Sequence, residues 1–110
     1  MREALWSVEF VSNVQGVGAG VAVFETGRIF GGDSNYFYLG EYRAKDGQIG
    51  AEIAVTHYAG PPSSVFGTLK RFNLKLTGND TYPVMEVRGN VVENSALQIG
   101  IRLTWRADLP

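Results

Sequence analysis

Few residues in this chain are of a type that does chemistry. It carries one histidine, His57, no cysteine, and eleven carboxylates spread over 110 residues. Without thiols, disulfides, thiolate metal sites and cysteine nucleophiles are excluded together, and a single imidazole excludes a histidine-rich metal cage. No metal and no cofactor is expected. Glu9, Asp33, Glu41, Glu52 and Glu86 fall on separate segments, so a carboxylate pair for acid–base work would need a tertiary meeting that spacing does not announce. No serine sits in a nucleophile-elbow sequence, so His57 has no evident nucleophile to activate. Gly16-Val17-Gly18-Ala19-Gly20 has Val21 where a dinucleotide fingerprint needs its last glycine, and the strand-like Val21-Ala22-Val23-Phe24 follows where a helix would have to begin. No residue is assigned as catalytic. Two roles stay open for His57: a core histidine with one hydrogen-bond partner, or a polar anchor at the mouth of a ligand pocket.

The elements that must position these residues follow from composition and rhythm. The length suits one domain over residues 1–110. Ten Lys and Arg against eleven Asp and Glu give a net charge of −1 with the signs interspersed, so the clustered basic face of a nucleic-acid binder is absent. The most apolar run, residues 16–24, is interrupted by glycine and alanine and is far short of the roughly 20 residues of a membrane-spanning helix. The first ten residues include Arg2, Glu3 and Glu9 and do not read as a secretory signal, so the expected location is cytoplasmic. With 45% hydrophobic residues the chain can bury a core.

Alternation with period two dominates. Trp6, Val8 and Phe10 share one face of a first strand; Tyr36, Tyr38 and Tyr42 share one face of another; Ile49, Ala51, Ile53, Val55 and His57 share a third. Phe72, Leu74 and Leu76 follow, and Leu97, Ile99, Ile101, Leu103 and Trp105 end the pattern. Turn residues separate these runs, among them Thr26-Gly27, Gly31-Gly32-Asp33, Asp46-Gly47 and Gly78-Asn79-Asp80. About eight strands are predicted, near 4–13, 17–25, 28–31, 35–44, 47–59, 69–78, 82–93 and 96–106. Their connections are too short for helical crossovers, so sequence neighbours should pair antiparallel. The longest connection, Gly60 to Thr68, has room for one helical turn capped by Ser63 or Ser64.

One apolar face per strand cannot be buried by a flat sheet. The expected fold is therefore all-β, a small antiparallel up-and-down barrel with at most one short helical turn. Glycines at 18, 20, 40, 50, 89 and 100 lie inside predicted strands, where they would permit the bends that closure demands. In such a barrel the first and last strands meet, so Arg102 or Arg106 is expected over the indole of Trp6. That arrangement resembles the tryptophan-and-arginine closure of lipocalin-like barrels, with Ala4 where their first glycine would stand.

Gly18-Ala19-Gly20-Val21 and Gly27 to Asp33, with the Gly31-Gly32-Asp33 turn and then Tyr36, Tyr38 and Gly40, resemble the GrlR family, small negative regulators of type III secretion gene expression. His57-Tyr58, the segment Pro62 to Val65 and Val87-Arg88-Gly89 extend the likeness in order. The resemblance implies a lipocalin-like barrel that forms a homodimer, whose interface or interior can hold an apolar or lipid-like ligand, and that regulates by protein contact. In enteric members an acidic loop between the fourth and fifth strands captures a transcriptional activator. The corresponding loop here, with Arg43, Lys45 and Asp46, has two bases and one acid, so that partner does not carry over. The expected role is thus a non-enzymatic binding protein with a protein partner, no direct contact with nucleic acid and no membrane span. If its interior holds a ligand, Phe10, Tyr38, Ile53, His57, Leu74, Ile101 and Trp105 are the candidates to line it, their alternative being ordinary core. Two other readings are kept: a small-barrel enzyme using His57 with Asp33 or a glutamate, and a structural subunit with a filled interior.

Overall fold

The alternating runs form eight strands: β1 (Ala4–Ser12), β2 (Val17–Glu25), β3 (Arg28–Gly32), β4 (Tyr36–Lys45), β5 (Gln48–His57), β6 (Arg71–Asn79), β7 (Val84–Val91) and β8 (Asn94–Ala107). They are seen in a computed structural model that describes residues 1–110. Every strand pairs antiparallel with its sequence neighbour, and β1 pairs with β8, so the sheet is a closed barrel without a free edge. At that seam Trp6 lies opposite Trp105 and Phe10 opposite Ile101. No strand-length segment becomes helix. The expected helical turn between β5 and β6 is replaced by a tight turn in which Ser64 and Gly67 exchange backbone hydrogen bonds. Pro62 disfavours the helical region for Pro61 before it, and Gly67 takes the left-handed φ of +87°.

Alternation decides what faces inward. Trp6, Val8, Phe24, Ile29, Leu76 and Leu103 are all buried, while their chain neighbours Ser7, Glu25, Arg28 and Lys75 point outward. Hairpin turns fix the register: β4 and β5 are joined through Asp46 and Gly47, both at positive φ (54° and 77°), which matches the twist of a two-residue hairpin.

Glycine permits the tight curvature at particular crossings. A Cβ on Gly89 would stand 1.7 Å from the Lys75 carbonyl oxygen, and one on Gly40 2.2 Å from that of Glu52. No side chain fits there unless the strands separate. Gly100, by contrast, faces open space and is not required by contact.

One end of the barrel is plugged by aromatic rings. Trp6 packs edge-on against Phe24 and Tyr82, Phe24 against Tyr42, and Tyr82 against Trp105. The guanidinium at this end belongs to Arg2, 4.8 Å from the Tyr82 ring centroid and 5.6 Å from that of Trp105. The expected stacking of Arg102 or Arg106 on Trp6 is not found, because strand parity sends both arginines outward while Trp6 is fully buried. Arg102 pairs with Glu86 and Arg106 donates to the Ser7 hydroxyl.

Candidate functional site

At the opposite end the interior is not filled. A cavity of about 290 Å³ runs down the barrel axis from the loops that follow β3 and β5 towards Met85 and Leu103. Its walls contain small inward positions, Gly18 and Ala22 on β2 and Ala51 on β5, where larger side chains would close the space. An eight-stranded barrel has just enough width for side chains or one small ligand, and here the small residues leave the second option. Twenty-two of the 28 lining residues are hydrophobic, so the space favours an apolar occupant over water.

The long connection between β5 and β6 arches over the open end. Val65 and Phe66 tuck in and are buried, and Phe66 meets Phe72 edge-on at 5.4 Å. Ser12, at the end of β1, anchors this loop: its hydroxyl donates to the Val65 carbonyl at 2.6 Å and accepts from the Val14 and Gly16 amides at 3.3 and 3.1 Å. A Cβ on Gly16 would stand 2.1 Å from the same Val65 carbonyl. The loop and the β1–β2 turn are therefore in direct backbone contact above the cavity.

Polar groups gather at this mouth around Asp33. One carboxylate oxygen, Oδ1, accepts from the amides of Asn35 and Tyr36, each at 2.9 Å, and thereby turns the chain from β3 into β4. The other, Oδ2, accepts the hydroxyl of Tyr38. Burial, and then this bond to the carboxylate, push the Tyr38 phenol far above its usual value, so it stays a donor. Gly20 leaves room for the pair, since a Cβ there would lie 2.8 Å from the Tyr38 hydroxyl. Tyr58 donates to the Asp33 backbone carbonyl at 2.6 Å, tying the β5–β6 loop to the same turn.

Of the residues expected to line a pocket, Phe10, Tyr38, Ile53, Leu74 and Ile101 do line this cavity. His57 and Trp105 do not. His57 ends β5 at the rim, where Nε2 donates to the Gly60 carbonyl at 2.7 Å and the ring meets Tyr36 edge-on; no carboxylate forms an ion pair with it. Trp105 belongs to the aromatic plug, its buried indole N–H without a hydrogen-bond partner. Asp33, in the turn after β3, and the inward Tyr36 and Tyr38 line the mouth; Gly31 and Gly32, expected in a turn, instead end β3 and pair with Tyr38 and Phe37, and Gly40 packs against β5 lower down. Arg43, Lys45 and Asp46 are exposed on the β4–β5 hairpin at the plugged end. Sequence reasoning missed Asn35, Ser63, Ser64 and Val65 as lining residues. For Ser63, Ser64 and Val65 the available signal was the length of the Gly60–Thr68 connection, the one loop able to reach across the barrel end.

No group of three or more potential metal ligands occurs, and no helix is long and apolar enough to cross a membrane. No protein-family model matches the chain, and a search of curated proteins finds no significant match.

Proposed function

We propose that this chain is a non-enzymatic binding protein whose barrel takes up one small apolar molecule and whose outer surface makes protein contacts. The observation that carries the reading is the apolar cavity of about 290 Å³ under the β5–β6 loop. Its volume is roughly twice that of a ~150 Å³ apolar cavity able to hold benzene, which corresponds to an occupant of about ten to twelve carbon atoms. Calorimetric titration with 1-decanol tests it. Saturable one-to-one binding is expected, with a rise in melting temperature of several degrees at about 100 times Kd. No heat and no shift would remove the ligand-binding reading.

The contact surface has its own support. Outside the barrel, Val23, Phe30, Leu39 and Ala54 stand in one row across β2 to β5, with Val21 and Phe37 in the next. Leu39 is 55% and Val21 49% exposed. A contiguous apolar face of this kind is what a partner covers, and we assign it to a second copy of the chain, as in the homodimer that the likeness to the GrlR family implies. Regulation of a protein partner through the assembled dimer is part of the same proposal. Sedimentation velocity at micromolar concentration is expected to give a dimer, and Leu39→Glu a monomer with unchanged circular dichroism. A wild-type monomer would overturn it.

A further inference from the structure

We propose that the cavity selects an apolar molecule whose polar end donates hydrogen bonds and carries positive charge, a medium-chain amine, and that it rejects the fatty-acid carboxylate of the same length. This rests on the ligand-binding reading above and adds the identity of the head group.

Charge and hydrogen-bonding capacity at the mouth select the head group. Asp33 is the one charged residue among the 28 that line the cavity; no lysine, arginine or histidine is among them. A carboxylate head would meet a like charge with no counterion among the lining residues, whereas an ammonium would meet its opposite. Hydrogen-bonding capacity points the same way. Asn35 spends its side-chain N–H groups on the Ala59 and Pro61 carbonyls, both at 3.2 Å. The Ser64 hydroxyl donates to the Gly67 carbonyl, and the Tyr38 hydroxyl to Asp33. Asn35, Ser64 and Tyr38 have committed their donors, and only the neutral hydroxyls of Ser34 and Ser63 are unbonded, so a carboxylate would find two hydroxyl donors but no cation, while an acceptor remains at Asp33. Oδ1 of Asp33 is filled by two amides, but Oδ2 holds only the Tyr38 hydroxyl and keeps a second lone-pair direction free. The Tyr38 oxygen offers further acceptor capacity beside it. A head group with several N–H donors completes both, while one with acceptors alone completes neither.

Geometry aligns the head with the tail. Asp33 sits at the top of the cavity, and below it the walls are Phe10, Ile53, Leu74 and Ile101. An alkyl chain extending downward from an ammonium at Asp33 therefore stays in apolar surroundings along its length.

The test is calorimetric titration of the full chain at pH 7 with decylamine and decanoate below their micelle concentrations and 1-decanol below its solubility limit. Decylamine is expected to bind about tenfold or more tighter than decanoate, with 1-decanol between them. Asp33→Asn, whose amide oxygen still accepts from the two turn amides, is expected to bring the amine and the carboxylate to within about threefold of each other while 1-decanol affinity changes little. Should that variant fail to fold, the wild-type ranking alone decides. Decanoate binding as tightly as decylamine overturns the selection while leaving the cavity a ligand site. An unchanged ranking in folded Asp33→Asn overturns the role of Asp33. Absence of binding by all three overturns the ligand-binding reading itself, and the selection with it.

Discussion

Asp33 has to satisfy three donors at once, and that demand fixes the chemistry of its neighbours. Two backbone amides hold one oxygen and the Tyr38 phenol holds the other. Removing the phenol leaves a half-buried carboxylate short of a partner, so Tyr38→Phe is expected to lower the unfolding free energy at pH 8 by about 1–3 kcal/mol in urea titrations. The pH dependence has a definite sign. Burial raises the phenols of Tyr36, Tyr38 and Tyr42 in the folded chain, whereas unfolded tyrosine ionises near pH ~10. Above that pH the unfolded state loses protons that the folded state keeps, and stability falls as pH rises. In Tyr38→Phe this alkaline decline is expected to be shallower, with the remainder due to Tyr36 and Tyr42. An identical slope in both proteins would show that Tyr38 does not ionise differently in the two states. Much of the site was legible residue by residue, because alternation correctly turned Phe10, Tyr38, Ile53, Leu74 and Ile101 inward. Alternation fixes a residue's face but not its height along the barrel, which depends on strand stagger. His57 and Trp105 share the inward register of their strands, yet one ends at the rim and the other in the plug.

At the scale of elements, the strands were readable and the long loop was not. The eight predicted ranges match the observed ones to within about three residues at each end, because turn residues such as Asp46-Gly47 interrupt the alternation where the chain must reverse. Gly60-Pro61-Pro62 and its length marked the β5–β6 connection, but not its path over the barrel end, since what holds it there is Ser12, 53 residues away from Val65 in sequence. Ser12→Ala removes that bond and strands two amide donors, so a loss of about 1–3 kcal/mol is expected. Faster amide exchange should accompany it in residues 61–68, with β4 and β5 unchanged. The strand glycines also divide by physics rather than by position. Gly89→Ala must push the Lys75 carbonyl aside and is expected to cost at least about 1–3 kcal/mol. Gly100→Ala enters open space and is expected to be neutral or to stabilise by about 0.5–1 kcal/mol. Thermal denaturation of the two variants side by side separates these cases; equal effects would mean that closure does not depend on the crowded crossing at β6 and β7.

For the whole molecule, eight half-apolar strands with short connections leave closure as the economical way to bury every inner face at once, and that much followed from rhythm alone. What rhythm could not give is the occupancy of the interior, which depends on the sum of side-chain volumes against the barrel's width. Aromatic residues overfill one end while glycine and alanine underfill the other, so the same barrel is packed at its plug and empty beneath its loop. Val87, half-buried on β7, faces that empty part. In a close-packed interior Val87→Phe would force its neighbours apart and cost about 1–3 kcal/mol. Placed against a cavity of about 290 Å³, the added ring has space to enter and new contacts to make, so unfolding free energy is expected to be unchanged or to rise by about 0.5–2 kcal/mol. The same ring takes up volume that a ligand would need, and 1-decanol affinity is expected to fall about tenfold or more. Gain in stability with loss of binding is the signature of a cavity kept open at the expense of packing. Destabilisation of the full close-packed magnitude, with ligand affinity intact, would place the binding space somewhere other than the barrel axis.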